Sequence, residues 1–356
     1  MITGVGPFPN AFPRPQSTRA AAIPARPAAR SRKEALPVIL TADEWSLGHL
    51  HDHLQAAAEL EAWTIPYYLS AMFSVVDRSA EAYQLIQSVV NQEMLHLQLV
   101  GNIANAYGYT PVITPVAFPY QGTTIPHLDF ALDPDNPTRT YSPYSAEIGP
   151  LDQLRINTMC LIEYPEWDTG THPAYRTSIS EYGSIGAFYD ALERGAHQLA
   201  SHIRGGVNQV DLFSAFYRDL PSMTVQGSGA DAFAEVSLLI DVIRDQGEAA
   251  KAADTIAAPN RNTADDSEPE ASHYQKFLTI RGSGTPPTYP VKDPSSYSPE
   301  DLKRRGILTD NFTRYTAAIT ELLAGRQPPE FAALMVTIGS NILTCWKSGV
   351  TPQFTQ

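Results

Sequence analysis

Apolar residues recur at helical spacing from Trp45 to about Val75, through Leu50, Leu54, Ala57, Thr64, Tyr68 and Met72, and predict a helix over 43–75. Thr41 or Asp43 can cap it, and Glu44 suits the positive end of its dipole. Glu61 falls on the apolar stripe, whereas Glu59 lies about 200° around the helix. A carboxylate on a buried face is costly unless something pairs it. Pro66 predicts a kink or a local opening one turn beyond Glu61. After a turn near Asp77 and Ser79, a second helix is predicted over 80–107, and its stripe also carries an acid and an imidazole, Glu93 and His96. Glu61 and Glu93 lie equally far from position 77, so an antiparallel hairpin brings them to the same height.

Gly108 ends that helix, and a Pro-rich excursion follows. A structureless loop of this length is uncommon inside a domain, so it is expected to wrap the bundle and shape a pocket. The crossover, 108–230, contains two shorter helical patterns, 150–163 and 184–203. Beyond a Gly/Ser break at 226–230, further helices are predicted over 231–250 and 264–281. Glu248 ends the first of these, and the second carries Glu270 and His273 in line with Phe277 and Ile280. Glu248 and Glu270 lie equally far from position 259, repeating the symmetry of the first hairpin. Two more helices, 309–324 and 328–347, pack their apolar faces on the rest. The pattern describes an all-α four-helix bundle with a long crossover insertion and extra C-terminal helices. Residues 1–37 form a Pro/Ala/Arg-rich arm, and 38–356 form one metal-binding domain.

The metal expectation comes from Glu93-Met-Leu-His96 and its echo Glu270-Ala-Ser-His273. Glu and His three apart on a helix can grip one ion, but a single such pair is common on solvated faces. Two copies, each joined by a lone Glu from another helix, form the ligand set of dinuclear carboxylate sites in helix bundles. The expected ligands are Glu61, Glu93, His96, Glu248, Glu270 and His273. Such donors suit iron, with manganese as the alternative, and hold too many oxygens for a structural zinc site. Glu248 is the weakest member, because Ser237, Asp241 and Arg244 on its face look solvated and Gly247 can break the helix. Glu163, an acid in an apolar run at a helix end, is an additional or replacement ligand, and Glu193 reads as a surface acid. The remaining histidines at 51, 53, 127, 172, 197 and 202 read as surface or core residues, with His127 placed to fold over the site. Trp63, Tyr67, Tyr68 and Phe73 are core aromatics by spacing, though one beside a metal could line a pocket.

Composition narrows the partners. A net charge of −13 argues against nucleic acid, which needs a basic surface. No segment reads as a secretory signal or a confident membrane span, so a cytoplasmic protein is expected. The Arg- and Ser-containing start, without early acids, also fits a transit peptide. The cysteines, Cys160 and Cys345, sit in apolar runs and are expected as buried thiols. No glycine-rich phosphate-binding fingerprint occurs, and no nucleophile elbow supports a serine triad.

The run Leu54-Gln-Ala-Ala-Ala-Glu-Leu-Glu-Ala-Trp-Thr-Ile-Pro-Tyr-Tyr-Leu69 resembles the opening helix of the ferritin-like iminophenyl-pyruvate dimer synthase domain. That domain occurs in the bisindole synthases of the violacein and rebeccamycin pathways. Similar motifs continue in order through Glu93 to Leu97, Phe118 to His127, Leu161 to Pro165, Ile185 to Tyr189, Ile243 to Glu248 and Ser272 to Phe277. Two positions depart from the pattern: Ala249 stands where a second glycine is usual, and Asn91-Gln92 replaces a more acidic lead-in. The resemblance implies a ferritin-like fold and a non-haem iron centre, and lifts Glu248 and Glu163 as ligands.

The expected activity is that of an iron-dependent oxidase or oxygenase using O2 or peroxide on a small, amino-acid-derived molecule of specialised metabolism. Its partners would be that substrate and either a second copy or another pathway enzyme, with no nucleic acid and no membrane. The long crossover favours an enzyme because it supplies pocket walls. The alternative is iron storage or peroxide detoxification, and a third is a scaffold that has lost its metal.

Overall fold

The computed structural model describes residues 45–125, 137–165, 182, 184–212, 223–247 and 271–355, all within the compact unit 37–356. Eight α-helices and no named strand occur among them. The first, α1, runs Leu47–Ser74 and is capped by Ser46, whose side chain accepts from the His49 amide. The cap therefore falls later than Thr41 or Asp43, because Ser46 is extended and its hydroxyl meets an otherwise orphaned amide. α1 continues through Pro66 as one helix. Asp77 organises the following turn by accepting from the backbone and hydroxyl of Ser79.

The second helix, α2, spans Glu81–Ala106 and ends where Gly108 takes a left-handed conformation, φ 74°, that a side chain would disfavour. α1 and α2 share the most extensive helix interface. The excursion after α2 is tied to α1 at several points. Gln55 bonds the backbone of Val112, Tyr67 donates to the Ser145 carbonyl and Tyr120 to that of Trp63. Wrapping is thus what the crossover does here.

Within the crossover, α3 (Gln153–Ile162) is capped by Asp152 and buries Ile156, Met159, Cys160, Leu161 and Ile162. It packs on α6 and so acts as a bundle wall rather than a connection. α4 (Ile185–Gln198) packs on α1 and on α5 (Phe233–Gly247), and α5 packs in turn on α2. α4 gives way to a 3-10 turn at Ala200–His202, earlier than the expected end at 203.

A larger correction concerns α6, which spans His273–Ser283 and not 264–281. Ser272 is extended and makes a full capping box with Gln275, so the helix starts at His273. Glu270, the expected partner of His273, lies outside the described residues. α7 (Pro299–Leu323) starts earlier than 309 because Ser298 and Asp301 form another capping box with Pro299 in the first turn. α8 (Phe331–Lys347) pairs with α7 and packs on α1, where the Trp346 indole donates to the Ser70 carbonyl at 2.8 Å. No helix among the described residues is long and apolar enough to cross a membrane.

Candidate metal centre

Four helices deliver five ionisable side chains to one interior point. α1 contributes Glu61, α2 contributes Glu93 and His96, the C-terminal cap of α3 contributes Glu163, and the first residue of α6 is His273. All five are at most 4% exposed. His96 Nδ1 lies 3.6 Å from Glu61 Oε2, while His273 Nδ1 lies 3.0 Å from Glu93 Oε1 and 3.5 Å from Glu163 Oε2. The two imidazoles stack with centroids 5.3 Å apart. Glu93, His96 and His273 each present a ligand atom within 4.8 Å of the others.

Each carboxylate is held by a hydroxyl. Thr64 Oγ1 donates to Glu93 Oε2 at 2.7 Å, Tyr68 to Glu163 Oε1 at 2.6 Å, and Tyr189 of α4 to Glu61 Oε1. Burial pushes the Glu93 carboxyl well above the usual carboxylate range, and the charges of Glu163 and Glu61 push the same way. Burial also acts upward on Glu61, but hydrogen bonds and charge from His96, with bonds from Tyr189 and Glu93, hold it below its ordinary value. Three acids crowded in a dry interior repel one another, and a cation among them removes that cost.

Donor chemistry fits a metal. His273 Nδ1 makes no hydrogen bond even though two carboxylate oxygens lie so close. Neighbouring ligands about 2.1 Å from one ion, roughly at right angles, sit about 3 Å apart. Oxygen-rich ligands with two imidazoles suit iron or manganese.

Of the seven expected ligands, the structure brings together Glu61, Glu93, His96, Glu163 and His273. Glu248 and Glu270 lie outside the described residues, as do His127 and His172. Their neighbour Gly247 closes α5 beside the site, where an added Cβ would lie 3.4 Å from Glu163 Oε2. Ser237 and Arg244 are half-buried and bond Glu193 of α4, which is thus an interhelical partner at the partly exposed α4–α5 seam. His51 stacks on Tyr109, His197 meets Phe233 edge to face, and His53 lies in the core. Trp63 and Tyr67 stack with Tyr120, whereas Tyr68 reaches the site.

Sequence reasoning assigned no role to Thr64, Tyr189, Gln92 and Gln246. Thr64 had a visible signal, one turn from Glu61 on the same stripe. Gln92 Oε1 lies 3.0 Å from His273 Nε2, and Gln246 Oε1 lies 3.1 Å from His96 Nε2.

A ferritin-like family profile matches residues 54–282, a span that holds all of these groups. The chain belongs to the ferritin-like family. A crystal structure of a ferritin-like protein from Caulobacter vibrioides superposes with a TM-score of 0.76 at 42% identity, covering 87% of this chain and 99% of that one. No match was found among curated proteins. The ferritin-like assignment accounts for the interior position of the acids, since bundles of this kind build metal sites from side chains on facing helices. A small cavity opens beside the site, lined by Leu60, Thr64, Ile185, Tyr189, Ile243, Arg244 and Gly247 together with Glu61, Glu93, His96 and Glu163.

Proposed function

We propose that this ferritin-like protein is a non-haem iron enzyme, an oxidase or oxygenase that uses O2 or peroxide on a small organic molecule. The observation that carries this reading is the convergence of three buried carboxylates and two buried imidazoles beside one cavity. Glu61, Glu93, His96, Glu163 and His273 would hold the metal, with Glu248 and Glu270 as further proposed ligands. Iron, when bound, supplies the electrons for using O2 or peroxide, with manganese as the alternative ion. Thr64, Tyr68 and Tyr189 fix the carboxylates so that each presents its remaining lone pairs inward. Leu60, Ile185 and Ile243 give one apolar side to the adjoining space, which at about 20 Å³ has room for a single water-sized molecule.

The proposed substrate is amino-acid-derived, on the strength of the motif resemblance to the iminophenyl-pyruvate dimer synthase domain. A homodimer, or a pairing with another enzyme of the same pathway in the cytoplasm, is the proposed setting. Anaerobic loading with ferrous iron followed by O2 tests the activity. We expect a metal-dependent absorbance change with O2 uptake by a protein of low oligomeric state. A loaded protein that takes up no O2, or one that assembles as a cage and accumulates an iron core, would overturn it.

A further inference from the structure

We propose that Lys276 is a positioning residue which, through Gln92, fixes the tautomer of His273 so that its unprotonated Nδ1 faces the carboxylates. The consequence for metal binding rests on the proposed function above, while the tautomer itself does not. His273 and Lys276 sit one turn apart on α6 and both reach across to α2. Lys276 Nζ donates to Gln92 Oε1 at 2.9 Å, and His273 Nε2 lies 3.0 Å from the same oxygen.

The logic is one of donors and acceptors. A lysine ammonium has three donors and no acceptor, so the Gln92 atom it touches must be the amide oxygen. That contact prevents the amide from turning around. A carbonyl oxygen only accepts, so the His273 nitrogen on it must carry a proton. A neutral imidazole has one N–H, which leaves Nδ1 with a lone pair. Nδ1 is the atom that lies 3.0 Å from Glu93 without a hydrogen bond.

Burial makes the device strict. Gln92 is 0% exposed and Lys276 2% exposed, so water does not compete for the shared oxygen. Enclosing an ammonium costs several kcal/mol before its partners are counted, which makes it a poor way merely to fill space between helices. Without the lysine, the Gln92 amide could present its NH2 group to His273. The proton would then move to Nδ1, and the ring would lose its inward lone pair.

The test uses the full-length, metal-free protein with 15N-labelled histidine, recorded at rising pH until the ring signals stop moving, so that the neutral ring is read. Long-range proton–nitrogen correlations distinguish protonated from bare ring nitrogens. Wild-type His273 is expected to show a protonated Nε2 and a bare Nδ1. Lys276→Met and Gln92→Leu should shift it toward the other tautomer, with His96 as the unchanged reference in each spectrum. Lys276→Arg, which also only donates, should restore the wild-type pattern. Cobalt(II) titration should then show binding weakened by about 10–100-fold in Lys276→Met.

A wild-type His273 protonated at Nδ1, or a pattern unmoved by both Lys276→Met and Gln92→Leu, overturns the proposal. Unchanged cobalt affinity alongside a switched tautomer overturns the positioning role. If Lys276→Met loses its helical circular dichroism, the wild-type and Lys276→Arg spectra decide. A wild type that binds no cobalt but shows the expected tautomer would sink the metal-centre reading and leave the tautomer assignment standing.

Discussion

The phenol of Tyr68 donates to Glu163 Oε1 at 2.6 Å, joining the middle of α1 to the cap of α3 inside the candidate centre. Burial, with the charges of Glu163 and Glu93, raises the phenol well above its ordinary range, so it stays a donor at any working pH. Tyr68→Phe removes that donor and leaves the Glu163 carboxylate free to turn. Metal affinity should fall by about 10-fold or more. Chemical denaturation of the metal-free protein should show a loss of about 1–3 kcal/mol. Comparing metal titrations with denaturation curves checks both.

Glu93 gives the opposite trade. Its carboxyl is disfavoured as an anion by burial and by Glu163 and Glu61. Glu93→Gln keeps the shape and an acceptor for Thr64 while removing a buried charge from a crowded set. The metal-free variant should unfold at a higher temperature than metal-free wild type, because function and stability pull apart at such a site. Iron or manganese should stabilise wild type and fail to stabilise the variant. Thermal melts with and without metal read both effects, and a Glu93→Gln protein still stabilised by metal would count against Glu93 as a ligand.

Helix identity was the most legible level in the chain, because α1, α2 and α5 show their apolar stripes directly. The hairpin symmetry also placed Glu61 opposite Glu93, and a periodic pattern could do that because both helices are regular between the turn and the acids. The second half behaved differently. His273 sits at the centre as the first residue of a capped helix, while its expected partner Glu270 lies outside the described residues. Glu163 was visible only as an acid in an apolar run, and what brings it inward is the packing of α3 on α6. Tyr189 and Gln246 are polar groups on the buried faces of α4 and α5, and spacing marks a buried face without saying which of its polar residues reaches the centre.

Acid should destabilise the protein through His53. Its ring is buried among Trp45, Tyr182 and Phe188, and burial lowers its pKa to about 4 from an ordinary 6.5. The unfolded chain therefore binds a proton that the folded chain refuses between those values. Stability is full above about pH 6.5 and falls as pH drops toward 4, by about 3 kcal/mol in total from this group. His53→Gln should flatten that part of the curve. Urea midpoints of wild type and variant between these pH values would show a constant offset if His53 were not responsible.

Arg244 lines both the interior cavity and a surface groove. It lines the small space beside Glu61 and Glu93, and it also lines an outer groove with Asp190, Glu193, His197 and Phe233. Its guanidinium is held by α4, 2.6 Å from Asp190 and 3.1 Å from Glu193. Those pairs are partly shielded, so losing the arginine leaves two acids facing one another and costs stability of about 1–3 kcal/mol. Removing the side chain also takes away lining that the groove and the cavity share. Arg244→Ala should therefore lose bound iron to an external chelator several-fold faster than wild type. Arg244→Lys, which keeps a cation but not the bidentate reach, should fall between the two. Equal chelation rates in all three proteins, measured on folded material at matched metal loading, would mean that the metal leaves by another route.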